Sequence, residues 1–154
     1  MKKTLLLLLT LLSTTAFASD QSYLFLQTAM QGQLQSVGKN QYTLTLKHPK
    51  NFVNYFSNRP LRQSGQMDLN RFLAFWTNSH IKDNFKVNPP NAAITLIPAK
   101  GEPVNFIAVV SSGKYQHNKL TYTLTPEHAM NIKRMTVKEV DLFFDDIHWN
   151  PGGF

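Results

Sequence analysis

Cysteine is absent from the chain. That excludes a disulfide framework, a thiolate nucleophile and a cysteine-based zinc site, and it leaves burial and hydrogen bonding to close the fold. Acidic side chains are scarce, with 9 Asp+Glu against 16 Lys+Arg and a pI near 9.7. Glycoside cleavage needs two carboxyls facing each other across a cleft, and few are on offer. The G-x-S-x-G elbow of serine hydrolases is missing: neither Ser64-Gly65 nor Ser111-Ser112-Gly113 supplies it. His48, His80, His117, His128 and His148 include no pair at the i, i+4 spacing of a helical zinc site. Asp141, Asp145 and Asp146 lack the alternating D-x-D-x-D-G order of a calcium loop. No metal and no cofactor is expected.

Long apolar runs are also missing, save one. Lys2 and Lys3 precede a run from Leu5 to Leu12 broken only by Thr10, and Ala16-Phe17-Ala18 follows. A basic start, a short apolar stretch and an A-x-A end make a secretory signal peptide, with cleavage expected after Ala18. The run falls short of the ~20 apolar residues of a membrane span. Residues 1–18 are therefore expected to be a leader and 19–154 one domain, secreted or periplasmic, with no integral membrane segment. Removing Lys2 and Lys3 leaves 14 basic against 9 acidic side chains, a net +5. That balance suits an anionic polysaccharide, an envelope or a host surface. The basic residues are scattered without a block or an aromatic stripe, so nucleic acid is not an expected partner.

The remainder reads as strands. Residues 23–28, 33–37 and 52–56 are short extended pieces, and Tyr42, Leu44 and Leu46 alternate with polar residues to mark one buried face. Ser57-Asn58-Arg59-Pro60 makes a corner, with Arg59 steered to extended backbone by the proline after it. Gly65 reads as a further turn. Asp68 stands where a helix N-cap belongs, and Leu69, Phe72, Leu73 and Trp76 form one apolar stripe with Phe75 at its edge. Asn78 and Ser79 end that helix. Ile81 to Val87 reads as a polar connection, and Asn88-Pro89-Pro90-Asn91 leads into a strand at 92–97. Val104 to Val110, apolar on both faces except Asn105, has the pattern of a central strand. Ser111 to Asn118 reads as a loop broken by Gly113. Leu120, Tyr122 and Leu124 alternate with threonines, and 125–130 is expected to hold one helical turn. Val140, Leu142 and Phe144 share a face opposite Phe143. The expected fold is mainly β: an antiparallel two-layer sandwich or partly open barrel with one covering α-helix.

Y-L-F-L-Q-T-A at 23–29, Y-F-S-N-R-P-L-R at 55–62, F-L-A-F-W at 72–76 and N-P-P-N-A-A-I at 88–94 occur in that order. The chain thereby resembles a family of small secreted proteins, many of them bacterial, with the pattern Y-F-S-D-R-P-x-R … F-L-x-x-W … N-P-P-N-A-A. The resemblance spans most of the mature chain and implies a domain without an established activity. Asn58 departs from the pattern's aspartate, which removes an acid that would pair with Arg59 or Arg62.

Arg59 and Arg62 are the sharpest ligand-binding candidates, since two guanidiniums can fork a carboxylate, sulfate or phosphate. The competing reading has them pin the corner through backbone carbonyls or a nearby acid such as Asp68. Tyr55, Trp76, Tyr115 and Trp149 are candidate sugar platforms, because flat rings stack on pyranose faces; Trp76 belongs to the buried stripe of the helix, and Trp149, near the polar Gly/Pro tail, is the better exposed candidate. The leading functional expectation is a non-enzymatic binding or surface-interaction module for an anionic or carbohydrate ligand. A small extracytoplasmic hydrolase, with Asp141 or Asp145 meeting His128 or His148, is the alternative. A structural envelope protein is the third.

Overall fold

The computed structural model describes residues 22–81 and 84–148. Nine strands and one helix follow in the order β1 (Ser22–Ala29), β2 (Gly32–Gly38), β3 (Gln41–Lys47), β4 (Phe52–Ser57), β5 (Ser64–Asp68), α1 (Leu69–Thr77), β6 (Asn91–Pro98), β7 (Val104–Gln116), β8 (Lys119–Pro126) and β9 (Arg134–His148). All pair antiparallel, in the order β2-β3-β8-β7-β6-β9-β1-β4-β5. A further pairing of β2 with β9 closes six of them into a barrel. The expected antiparallel β architecture with one covering helix is what the chain forms. Of the two forms expected it takes the barrel, with its circuit complete.

The 15-residue β9 makes both closure and extension. Along one edge its first residues pair β2 (Gly32↔Val137 to Gln35↔Arg134), and its later ones pair β1 (Ala29↔Val140 to Ser22↔His148). Strands β1 and β2 thus lie end to end on β9, and β1 carries β4 and β5 outward as a three-stranded flap. Its other edge pairs β6.

Helix α1 begins where Asp68 turns from strand to cap. Its Oδ1 accepts from the amides of Asn70 (2.8 Å) and Arg71 (3.2 Å), satisfying first-turn donors that have no partner in the helix. The Asn78 amide donates to the Ala74 carbonyl at the other end (2.8 Å). Leu69, Phe72, Leu73, Phe75 and Trp76 are all buried, a face wider than the stripe read from the sequence. Phe72 lies 5.2 Å from both Phe25 and Phe144, ring centre to ring centre, and 5.4 Å from Trp76. Phe75 stacks on Phe85 at 4.7 Å, so the polar connection contributes a core ring. The Trp76 indole N–H donates to the Val110 carbonyl (3.0 Å).

Four expectations are corrected. Ser111 to Asn118 is not a loop: β7 runs on through Gln116, and the turn narrows to His117-Asn118, both with positive φ, as a two-residue hairpin requires. Gly113 lies inside that strand because Leu73, Trp76 and Tyr122 close over it. Gly65 likewise lies in β5, opposite Tyr55, whose ring occupies the space of a side chain there. Residues 125 and 126 complete β8, paired to β7 as Val109↔Thr125 and Ala108↔Pro126, and no helical turn follows. Finally, β7 lies between two strands yet exposes Ile107 and Val109 on its outer face.

A Cβ at Gly113 would approach Leu73 Cδ2 to 2.8 Å and Tyr122 Cε1 to 2.9 Å. Gly113→Ala is therefore expected to cost about 1–3 kcal/mol by overpacking. At Gly38 the nearest atom to such a Cβ is 3.7 Å away, and Gly38→Ala should shift stability by no more than about 0.5 kcal/mol. Denaturant unfolding of the two variants checks the contrast.

Candidate functional site

The β4–β5 hairpin presents the sequence candidates Arg59 and Arg62. It is clamped at its base from both sides. The Ser57 amide donates to the Gln63 carbonyl and the Gln63 amide to Ser57 Oγ, both at 2.8 Å. The Asn58 amide donates to the Ser22 carbonyl (3.2 Å), and Asn58 Nδ2 donates to Ser22 Oγ (2.8 Å), which ties the loop to β1. From β1 the Tyr23 hydroxyl donates to Gln63 Oε1 (3.0 Å). Burial, and then the neighbouring Tyr55, raise the Tyr23 pKa, so the hydroxyl keeps its proton as donor. Between these clamps Arg59, Pro60, Leu61 and Arg62 are exposed. The Arg59-Pro60 peptide is cis, and Arg62 holds φ +52°, the left-handed region.

Among the described residues neither guanidinium has a hydrogen-bond or ion-pair partner. Asp68 does not neutralise them: it lies at the far end of β5, opposite Phe52, with its carboxylate committed to the helix. Asn58, in the place of an acid, is turned to Ser22. The corner is pinned by Ser57, Asn58, Gln63 and Tyr23, a role the sequence reading had offered the arginines.

Tyr55 is half-buried and packs into the flap, 5.7 Å from the Tyr23 ring and 5.9 Å from Phe25. It supports the hairpin from below as a packed ring. Trp149, the expected leader and its cleavage point lie outside the described residues.

A cavity of about 280 Å³ opens between β7 and the segment after β8, lined by Val104, Phe106, Met130 and Ile132 with His128 at its margin. Among the described residues His128 is the one titratable side chain lining it. Asp141 is elsewhere, on the outer face of β9 between Thr28 of β1 and Thr95 of β6. The described residues do not bring His128 and Asp141 into one cleft. They also hold no group of three or more His, Cys, Asp or Glu placed to bind a metal ion. No described helix is long and apolar enough to cross a membrane.

Two features escaped sequence reasoning. The Tyr122 hydroxyl, fully buried, donates to Gln27 Oε1 (3.2 Å) inside the core, a contact between residues 95 positions apart. The other is a partition of charge. No acid occurs anywhere in residues 21–67 or 103–126, and Glu139, Asp141 and Asp145 gather on β9. The spacing of the acids along the chain was the signal for it.

Compared with known proteins, the chain matches no family model, no curated protein and no solved structure.

Burial, and then Glu139, push the Asp141 carboxyl above its ordinary value. A carboxyl raised in the folded state opposes folding when ionised. That penalty is full above the folded pKa and vanishes as pH falls below the unfolded value of ~3.9. Asp141→Asn should therefore raise the melting temperature at pH 7, by a few degrees at most because the group is partly solvated. The gain should be gone in melts at about pH 3.

Proposed function

We propose that this is an exported, non-enzymatic binding module that holds an anionic ligand through the β4–β5 hairpin. The observation that carries the reading is the pair of exposed guanidiniums, without a partner among the described residues, on a loop whose base is fixed by Ser57, Asn58, Gln63 and Tyr23. A loop already ordered loses less entropy on binding. Guanidiniums that no described residue engages leave their donors for carboxylate or sulfate oxygens. The backbone at Arg62 adds support. A non-glycine residue in the left-handed region costs roughly 1–2 kcal/mol, and glycine would fit there without that cost. A side chain kept at a strained position is an argument for a use of that side chain. The leader-like start of the chain supports export, and the net positive charge suits an acidic ligand outside the cytoplasm.

The test is Arg59→Ala combined with Arg62→Gly. On immobilised dextran sulfate the variant should elute at distinctly lower salt than the parent. Its melting temperature should be equal or higher, since glycine relieves the strain at position 62. Unchanged elution would remove the hairpin as the site, and a large fall in melting temperature would make the arginines structural.

A further inference from the structure

The outer surface of β3, β8 and the C-terminal half of β7 has a composition found on none of the other strands. Register places side chains in rows across the three strands. Lys47, Lys119 and Gln116 form one, Thr45, Thr121 and Lys114 the next, and Thr43, Thr123 and Ser112 a third. Hydroxyls meet within the rows: Thr45 Oγ1 lies 3.4 Å from Thr121 Oγ1, and Ser112 Oγ donates to Thr123 Oγ1 (2.8 Å). None of these strands carries an Asp or Glu. Lys47 and Lys119 are directly opposed, and like charges on facing residues disfavour the pairing. No acid on the three strands offsets them, and a bound anion would.

We propose that this wall is a second docking surface, distinct from the hairpin, and that its ligand is an acidic polysaccharide. The strands β6, β9 and β1 separate the two surfaces in the sheet. Lys47, Lys114 and Lys119 supply point charges for carboxylates spaced along a chain. Threonine and serine hydroxyls and the Gln116 amide supply both donors and acceptors for sugar hydroxyls between those charges. The wall does not offer what other polyanions or surfaces ask for. Single-stranded nucleic acid is held by stacking platforms, and the exposed tyrosine of β7, Tyr115, is opposite buried Leu120, on the other face of the strand from Lys114 and Gln116. Duplex base edges are read by a helix or a two-stranded ribbon narrow enough to enter the major groove, and this wall is three paired strands of a closed barrel. A lipid surface would need apolar contact, and the exposed apolar side chains Ile107, Val109 and Phe143 group across β7, β6 and β9, beyond the Thr123–Ser112 row where the wall ends.

The experiment is titration of the protein with polygalacturonate, with neutral dextran and duplex DNA in parallel, for the parent and for Lys114→Gln/Lys119→Gln. The parent should bind polygalacturonate and not dextran. The double variant should bind about ten-fold more weakly, as expected for two exposed charges removed, and with a shallower dependence on salt. It should melt at or above the parent, because the Lys47 opposition is gone. If it melts lower, Lys114→Gln alone gives the same test on an exposed side chain, with about three-fold weakening expected. Failure of the parent to bind polygalacturonate, equal affinity in the wall variant, or tighter binding of DNA would overturn the proposal. The hairpin variant run alongside separates the two surfaces: a loss seen only there leaves the hairpin standing and removes the wall.

Discussion

The seating of Phe72 and Trp76 in the sheet is the contact on which the other parts depend. A barrel strand that leaves its circuit to carry a flap opens a wedge between the flap and the barrel wall. Here the wedge lies between β1 and β9 on one side and β7 and β8 on the other, and aromatic rings fill it. Phe72 touches Phe25 of β1 and Phe144 of β9, while Trp76 lies 5.8 Å from Tyr122 of β8. The Phe72–Phe144 pair meets edge to face, an arrangement that contributes about 0.5–1.5 kcal/mol beyond the area it buries. Trp76 also answers a polar need. The ladder between β7 and β8 shifts register between Val110 and Ser112, and bulges of this sort interrupt ladder bonding. The indole N–H meets the Val110 carbonyl at that shift. Helix, bulge and glycine therefore form one arrangement: Gly113 gives the rings room, and the bulge gives Trp76 an acceptor.

The geometry of β9 carries this packing to the hairpin. Because β1 and β2 share one edge of β9 in succession, closing the barrel fixes where β1 runs. Ser22, at the start of β1, holds Asn58, and Tyr23 beside it holds Gln63. Arg59 and Arg62 thus sit on a loop whose base is anchored to a core strand. Most loops owe their mobility to exposed backbone with few buried contacts; this one has its two ends bonded and its middle four residues free to meet solvent.

Much of this was legible in the sequence. Period-two alternation gave β3 and β8, since Tyr42, Leu44, Leu46 and Leu120, Tyr122, Leu124 each need one dry face. The helix was legible because its cap and its stripe agree. Gly65 and Gly113 were misread because a glycine marks either a turn or a close approach, and only the partner distinguishes the two. Those partners, Tyr55 and the Leu73–Trp76 face, come from other elements. Phe85 was missed because a single ring in a polar stretch has no period. Of the candidate site, the arginine pair could be read from its corner, but its freedom could not. That follows from Asp68 being spent on the helix and from Asn58 turning to Ser22.

The surfaces proposed for ligands occupy positions that the core leaves open. Along β3 the inward residues Tyr42, Leu44 and Leu46 are buried, while Thr43 and Thr45 are partly exposed and Lys47 is exposed. Alternation separates the two tasks completely, because a change at an outward position moves no inward side chain. An acid on β3 or β8 would have relieved the opposition of Lys47 and Lys119 without disturbing Leu46 or Leu120. Packing cannot be the reason that none is present. A field of one sign on a stable wall does not arise from folding requirements, which favour mixed charge, and it is the arrangement expected where the missing negative charge comes from outside.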